Sequence, residues 1–299
     1  MSKDRTVLVT GASGRQGQRV VKHLLRAGFV VRALVRDRTT QVAAQLQSWG
    51  AIPVEGTFED RGALSAAMRG VHGVFSMQNF WRAGYVDEFL QARNILEAAV
   101  EAHVPHFVYS SAGIDRDAGL PNIETKAIIE AMTFDAFPHA TVLRPVWFME
   151  GFGPDFFDFK RNVFTFVTAP GRPHGWVSLE DIGRFVASAL ATPDDYAGLR
   201  INLASSTSTG EQMAEAFGRA MGRRLAYEQW SEQKTEQVVR DWVPDAPYSL
   251  ELRRIYDFIR DVNFTLDFAA IEQKLPVRHT LESWVNTVWY PSWKASIPP

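Results

Sequence analysis

Cysteine is missing from all 299 residues of the chain. That excludes disulfides, a thiolate nucleophile and cysteine-ligated zinc or iron–sulfur sites. An excess of charge is missing too: 32 Lys and Arg stand against 34 Asp and Glu, a formal net charge of −2. Nothing in that balance points to nucleic acid or to an anionic membrane surface. No apolar run approaches the ~20 residues of a membrane span. The start, Met-Ser-Lys-Asp-Arg, lacks the apolar core of a signal peptide, so a cytoplasmic location is expected. There is no internal repeat, no His-Glu-x-x-His motif and no Gly-x-Ser-x-Gly elbow, and no metal site is expected.

What is present is alternation. Val7–Thr10, Phe29–Val35, Ala51–Glu55, Val74–Met77, His106–Ser110 and Ala140–Leu143 read as short, almost wholly apolar strands. Helical patterns separate them, at Gln16–Ala27, Thr39–Trp49, Arg61–Arg69, Tyr85–His103 and Ile123–Phe134. Apolar strands alternating with helices predict an α/β fold whose parallel sheet is covered on both faces. The expected form is a doubly wound Rossmann sheet in the order 3-2-1-4-5-6, with a ligand crevice beyond the strand C-termini.

After Arg144-Pro145 the texture changes and aromatics crowd in: Trp147, Phe148, Phe152, Phe156, Phe157, Phe159, Phe164 and Phe166. They read either as core or as pocket lining. We expect a dinucleotide-binding domain over residues 1–150 and a smaller α/β substrate or lid lobe over 151–299. Ser178–Leu190 and Leu199–Leu203 are expected to return to the main sheet. The Trp-rich tail, Trp284–Trp293, is expected on the surface of the lobe, and Arg253–Asp261 as an amphipathic helix.

Thr10-Gly11-Ala-Ser13-Gly14-Arg15-Gln16-Gly17 joins the first strand to the first helix. In that place, Gly-x-x-Gly-x-x-Gly is a specific sign of a dinucleotide site. Gly11 serves the tight turn, Gly14 lets backbone amides approach a pyrophosphate, and Gly17 lets the helix pack close. The helix N-terminus then offers free N–H groups and partial positive charge. At the end of the second strand, where an acid would bond the ribose diol of NAD, stands Arg36, followed by Asp37 and Arg38. A guanidinium there fits a 2′-phosphate, and Arg15 is a second candidate for it. The expected cofactor is NADP(H); Asp37 keeps NAD(H) open.

With these residues in view, the chain resembles the NmrA-like family of atypical short-chain dehydrogenases. The marks are the Gly11–Gly17 loop, Val74-Phe-Ser-Met-Gln-Asn-Phe-Trp81, Phe107-Val-Tyr-Ser-Ser-Ala-Gly113, Lys126 and Arg144-Pro-Val-Trp-Phe-Met-Glu150. The resemblance implies that Ser13 and Gln16 belong to the cofactor loop with its glycines. It implies that Thr57 and Phe58 lie near the adenine, and that Gln78, Asn79 and Phe80 line the ribose and nicotinamide end. Ser110 and Ser111 would lie beside the nicotinamide. Lys126 would bond its ribose, and Pro145 and Phe148 would flank the ring.

Short-chain dehydrogenases usually carry Tyr-x-x-x-Lys, in which the phenol gives a proton as hydride arrives. Here Asn122 stands four residues before Lys126. An amide is no acid, so the proton must come from elsewhere. Candidates are Lys126 acting through water, His174 in a loop of the second lobe, Tyr85 and Tyr109. Ser111 and Lys126 complete the candidate catalytic set. Two functions stay open. One is a reductase of a small aromatic or conjugated acceptor. The other is a non-catalytic NADP(H) sensor that regulates a protein partner. The reading leans to the reductase. A monomer or a homodimer fits either.

Overall fold

A computed structural model describes residues 5–113, 119–243, 246–261 and 266–296. The chain starts with β1 (Thr6–Val9), α1 (Arg15–Arg26), β2 (Val30–Val35), α2 (Gln41–Ser48), β3 (Ile52–Glu55) and α3 (Arg61–Met68). It continues with β4 (Gly73–Ser76), α4 (Phe80–Glu101), β5 (His106–Ser110), α5 (Pro121–Ala136) and β6 (Thr141–Pro145). Then come β7 (Trp147–Phe148), β8 (Phe157–Asp158), β9 (Val163–Phe166), β10 (His174–Val177), α6 (Leu179–Ala191), β11 (Arg200–Leu203) and β12 (Ser206–Ser208). The rest is α7 (Gly210–Met221), β13 (Ala226–Gln229), α8 (Glu232–Trp242), α9 (Ala246–Asp261), α10 (Phe268–Lys274), α11 (Leu281–Trp284) and α12 (Tyr290–Ser296).

These elements form two compact units. Of the described residues, the first gathers 5–113, 121–145 and 179–203; the second holds 119–120, 146–178 and everything from 204 on. The first unit is a parallel sheet of seven strands in the order β3-β2-β1-β4-β5-β6-β11. Its first six strands follow the order expected from the sequence, and β11 extends the edge beside β6. The strands are near-continuous apolar runs because helices cover them. Leu8, Val74, Phe107 and Val142 share one core cluster with Leu64 and Met68 of α3, Ile95, Leu96 and Ala99 of α4 and Ile129 of α5. Helix α4 starts five residues earlier than its periodicity predicts, because Asn79 caps Trp81; the backbone breaks at Gly84 before the regular stretch begins.

On the other face α1 packs against α6. His23 and Arg19 of α1 both reach Glu180, at 2.7 and 3.1 Å. The hydrogen bond from His23, helped by Arg19, outweighs burial and holds the Glu180 carboxyl down at about 2. A depressed acid contributes stability that is complete above its unfolded value of ~4.3 and is lost as pH falls through the folded one. We therefore expect the urea midpoint of the wild type to fall between pH 4.5 and 2 more steeply than that of Glu180→Gln. Parallel curves would show that the contact contributes nothing.

The second unit carries two three-stranded sheets, β12-β10-β7 and β13-β9-β8, with α7 to α12. Its aromatics are core: Phe156, Phe164, Phe166, Trp176 and Phe217 are all fully buried. The tail lies only partly on the surface of the lobe, where it was expected: Asn286, Thr287, Pro291 and Ser292 are exposed. Trp284 and Trp289 are buried, because their N–H groups find partners there, Glu150 Oε1 at 3.2 Å and the Phe152 carbonyl at 3.0 Å. Helix α9 buries Leu252, Ile255, Tyr256 and Ile259 at helical spacing, the amphipathic pattern read from the sequence. Among the described residues no helix is long and apolar enough to cross a membrane.

Candidate functional site

The parallel register brings the ends of the strands to one edge of the first unit. Val9 pairs with Phe75, Val35 with Glu55, Ser76 with Tyr109 and Ser110 with Leu143. The segments that follow, holding Gly11–Gly17, Arg36, Thr57–Phe58, Gln78–Phe80 and Ser111, therefore leave the sheet on the same side.

The glycine loop is shaped by close backbone contacts. Gly11 has φ +61°, and a Cβ there would sit 2.5 Å from the Met77 sulfur. A Cβ on Gly17 would lie 2.2 Å from the Gly11 carbonyl oxygen and 2.8 Å from Ala12 Cα, both backbone atoms that cannot swing aside. The Gly14 N–H donates to the Gly11 carbonyl at 2.9 Å, which closes the turn. Helix α1 then begins with no side-chain cap and no acidic residue in its first turn. Ser13, Gly14 and Arg15 are exposed there. A twelve-residue helix with no side-chain cap and no acid in its first turn, opening at an exposed residue, has the electrostatics to receive phosphate. Gln16 points inward instead, and its amide donates to Ser110 Oγ at 2.7 Å, tying the loop to the end of β5.

Beyond β2, Arg36 is exposed. Asp37 is occupied: its Oδ1 accepts from Thr39 N at 2.7 Å and from the Thr39 hydroxyl at 2.6 Å, which also lowers its carboxyl below the usual range. One oxygen of the acid that left NAD(H) open is thus engaged in a turn. Thr57 accepts from Glu59 N at 3.3 Å, and Phe58 packs partly buried against the core. Asn79 uses its Oδ1 to cap α4, and the Phe80 ring is buried against Trp81 and Tyr85. The Pro145 carbonyl accepts from Gly113 N at 2.7 Å.

Lys126 on α5 donates to Glu88 Oε1 of α4 at 2.9 Å and to the Gln78 carbonyl at 3.4 Å. Asn122, one turn earlier, is buried. Ser111 donates to Glu130 Oε1 at 2.5 Å, and Glu130 is gripped by Arg144 through two bonds of 2.8 and 2.7 Å. Tyr109 is fully buried, and burial, with the nearby Glu88 and Glu130 charges, raises its phenol well above the usual range.

Phe148 and His174 belong to the second unit. Phe148 is half-exposed at the end of β7. His174 is not in a loop, as its Pro-His-Gly context suggests, but opens β10, opposite Ser208. Its ring lies 4.7 Å from that of Trp176, and burial pushes its pKa down to about 3, so it stays neutral.

Sequence reasoning missed Glu88 and Glu130, though a signal existed. Glu88 falls on the buried stripe of α4 with Gly84, Ala92, Ile95 and Ala99. An acid at helical spacing within an apolar stripe needs a buried partner. Lys126 and Arg144 are those partners.

A seven-stranded parallel sheet in this order, with a glycine loop at the mouth of α1, defines a Rossmann-type α/β protein. Within that class the chain belongs to the NmrA-like family, whose model matches residues 3–285. Similar proteins include the NmrA-like family domain-containing oxidoreductase notA' of Aspergillus versicolor, 30% identical over 247 residues, covering 73% of this chain and 69% of that one. Among solved structures, NmrA, a negative transcriptional regulator in complex with NAD, superposes with a TM-score of 0.80 at 20% identity, over 98% of both chains. The triphenylmethane reductase of Citrobacter sp., complexed with NADP(H), gives a TM-score of 0.77 at 21% identity, over 93% of this chain and 98% of that one.

Proposed function

We propose that this protein is an NADPH-dependent reductase that passes hydride to a small aromatic or conjugated acceptor of the quinone, enone or imine type. The observation that carries the reading is the pairing, at one edge of one sheet, of an open glycine loop with an anchored Lys126. The loop would hold the pyrophosphate, Arg36 the 2′-phosphate and Lys126 the nicotinamide ribose. Bound there, the cofactor supplies the hydride; orientation is most of what the protein must add. An acceptor that is electron-poor and conjugated suits a site with Asn at 122. Hydride arrives at carbon, the negative charge spreads over the conjugated system, and water supplies the proton. The activity named for the Citrobacter protein and the NADP(H) bound to it support this class of acceptor and this cofactor.

The test is a fluorescence titration with NADPH and NADH, followed by a panel of quinones, enones, imines and cationic dyes read at the nicotinamide absorbance band. Tight NADPH binding and acceptor-dependent oxidation are expected. Arg36→Ala should weaken NADPH by about 10- to 100-fold, the worth of a charge-assisted hydrogen bond, and leave NADH nearly unchanged. Equal losses for both cofactors would remove Arg36 from the 2′-phosphate.

Asn122 in place of an acid favours a second reading, a dinucleotide sensor acting on a protein partner, and NmrA is named as a regulator. Tight binding without turnover, together with a size or partner shift on exchanging NADPH for NADP⁺, would select it. A ligand moves such an equilibrium only by binding its two states differently.

A further inference from the structure

In the first unit, four buried side-chain atoms have no hydrogen-bond partner among the described residues: Gln78 Oε1, Glu88 Oε2, the Tyr109 hydroxyl and Asn122 Oδ1. All four belong to residues around Lys126. Gln78 and Glu88 bond its ammonium, and Asn122 lies one turn before it on α5. Tyr109 pairs in register with Ser76, to which the Gln78 side chain is bonded, and it feels the Glu88 charge. Unsatisfied polar atoms gathered in one place of an otherwise paired core call for an explanation other than stability. Glu88 sharpens the point. Its side chain is fully buried on the apolar stripe of α4, while Lys126 is 15% exposed. A buried ion pair is seldom more stable than a packed apolar pair of the same volume.

We propose that Glu88 is the positioning residue of Lys126, fixing the place of the ammonium at the cofactor edge of the sheet. Among the described residues Glu88 is the carboxylate bonded to the ammonium, and the Gln78 backbone carbonyl is a neutral second acceptor. Glu130, the buried carboxylate further along α5, is bound by Arg144, Arg200 and Ser111. The role rests on the NADP(H) reading of the site, but the placement of Lys126 can be followed without any cofactor.

The chain has few lysines, so ¹³Cε-lysine labelling of the whole protein resolves Lys126 by NMR, and Lys126→Arg assigns its signal. Glu88→Gln keeps the shape and an oxygen that can accept the Lys126 N–H, but removes the charge. In the wild type the ordered Lys126 methylene should give a shift apart from those of the surface lysines and a high order parameter; in E88Q both should move toward the values of the surface lysines. NADPH affinity should fall about tenfold in E88Q, the worth of one charge-assisted hydrogen bond. Glu88→Asp keeps the charge but withdraws it by one methylene; it should shift the Lys126 signal less and bind more weakly than the wild type. An unchanged Lys126 signal in E88Q would overturn the proposal. Should E88Q fail to fold, wild-type affinity in E88D would overturn it. A wild type that binds no NADPH, with the released Lys126 signal still seen in E88Q, would defeat the functional reading and leave the positioning role standing.

Discussion

Gly17→Val is expected to abolish dinucleotide binding, weakening NADPH by at least about 100-fold, and to lower the melting temperature as well. The reason is distance. Any Cβ at this position lies 2.2 Å from the Gly11 carbonyl oxygen and 2.7 Å from its carbon. Both are backbone, so α1 must lift off the loop or the loop must unwind. Overpacking of this kind costs about 1–3 kcal/mol in a core. Here it also moves the N–H groups that would face the pyrophosphate, and a shift of about 1 Å is enough to cost ~100-fold in a positioned site. Gly14→Ala is the control. Its Cβ would meet only the Gly11 carbonyl oxygen, at 3.2 Å, which a small relaxation relieves. G14A should stay folded with a melting temperature near that of the wild type, so the affinity it loses measures a methyl standing where the pyrophosphate would approach. Fluorescence titration and thermal unfolding read both effects. A G17V protein that binds NADPH within threefold of the wild type would show that the loop is not the phosphate cradle.

The same loop shows why much of the molecule was legible in advance. Glycine spacing, apolar strands and helical periodicity are local signals, and they give the order of six strands and the edge where a ligand would lie. Leu199–Leu203 was readable as a returning strand because its apolar residues stand out after a polar turn, and β11 does pair with β6. What was not legible depends on partners distant in sequence. The burial of Trp284 and Trp289 depends on Glu150 and on the Phe152 carbonyl, more than 130 residues away. That Asp37, the rival to Arg36, bonds Thr39 through its Oδ1 could not be read from its neighbours alone. His174 looks like a loop residue between Pro173 and Gly175 until its strand is seen paired with Ser206–Ser208. Glu88 and Glu130 were visible as acids in apolar stripes, but only tertiary packing shows which bases meet them.

Glu130 carries the second large expectation. Its carboxylate is 2% exposed on α5, and Arg144, at the end of β6, holds both oxygens at 2.8 and 2.7 Å. Arg200 of β11 adds a bond of 3.1 Å from a more exposed position, while its guanidinium stacks 4.7 Å from the Phe134 ring. Arg144→Met removes the bidentate partner of a buried charge, whose other contacts include a half-exposed arginine and a hydroxyl. Breaking one side of such a pair costs about 3–5 kcal/mol, which in a domain of this size lowers the melting temperature by roughly 10 °C. Because the penalty lies in the stranded carboxylate, Glu130→Leu with Arg144→Met should recover much of the loss although it deletes the interaction entirely. A single variant melting within about 2 °C of the wild type would mean that the remaining contacts suffice to hold Glu130. The network also reaches the site, since Ser111 donates to the same carboxylate at the mouth of β5. The double variant frees that hydroxyl while restoring the fold. Comparing its NADPH affinity with the wild type then separates what Glu130 does for the sheet from what it does for the edge where the cofactor would lie.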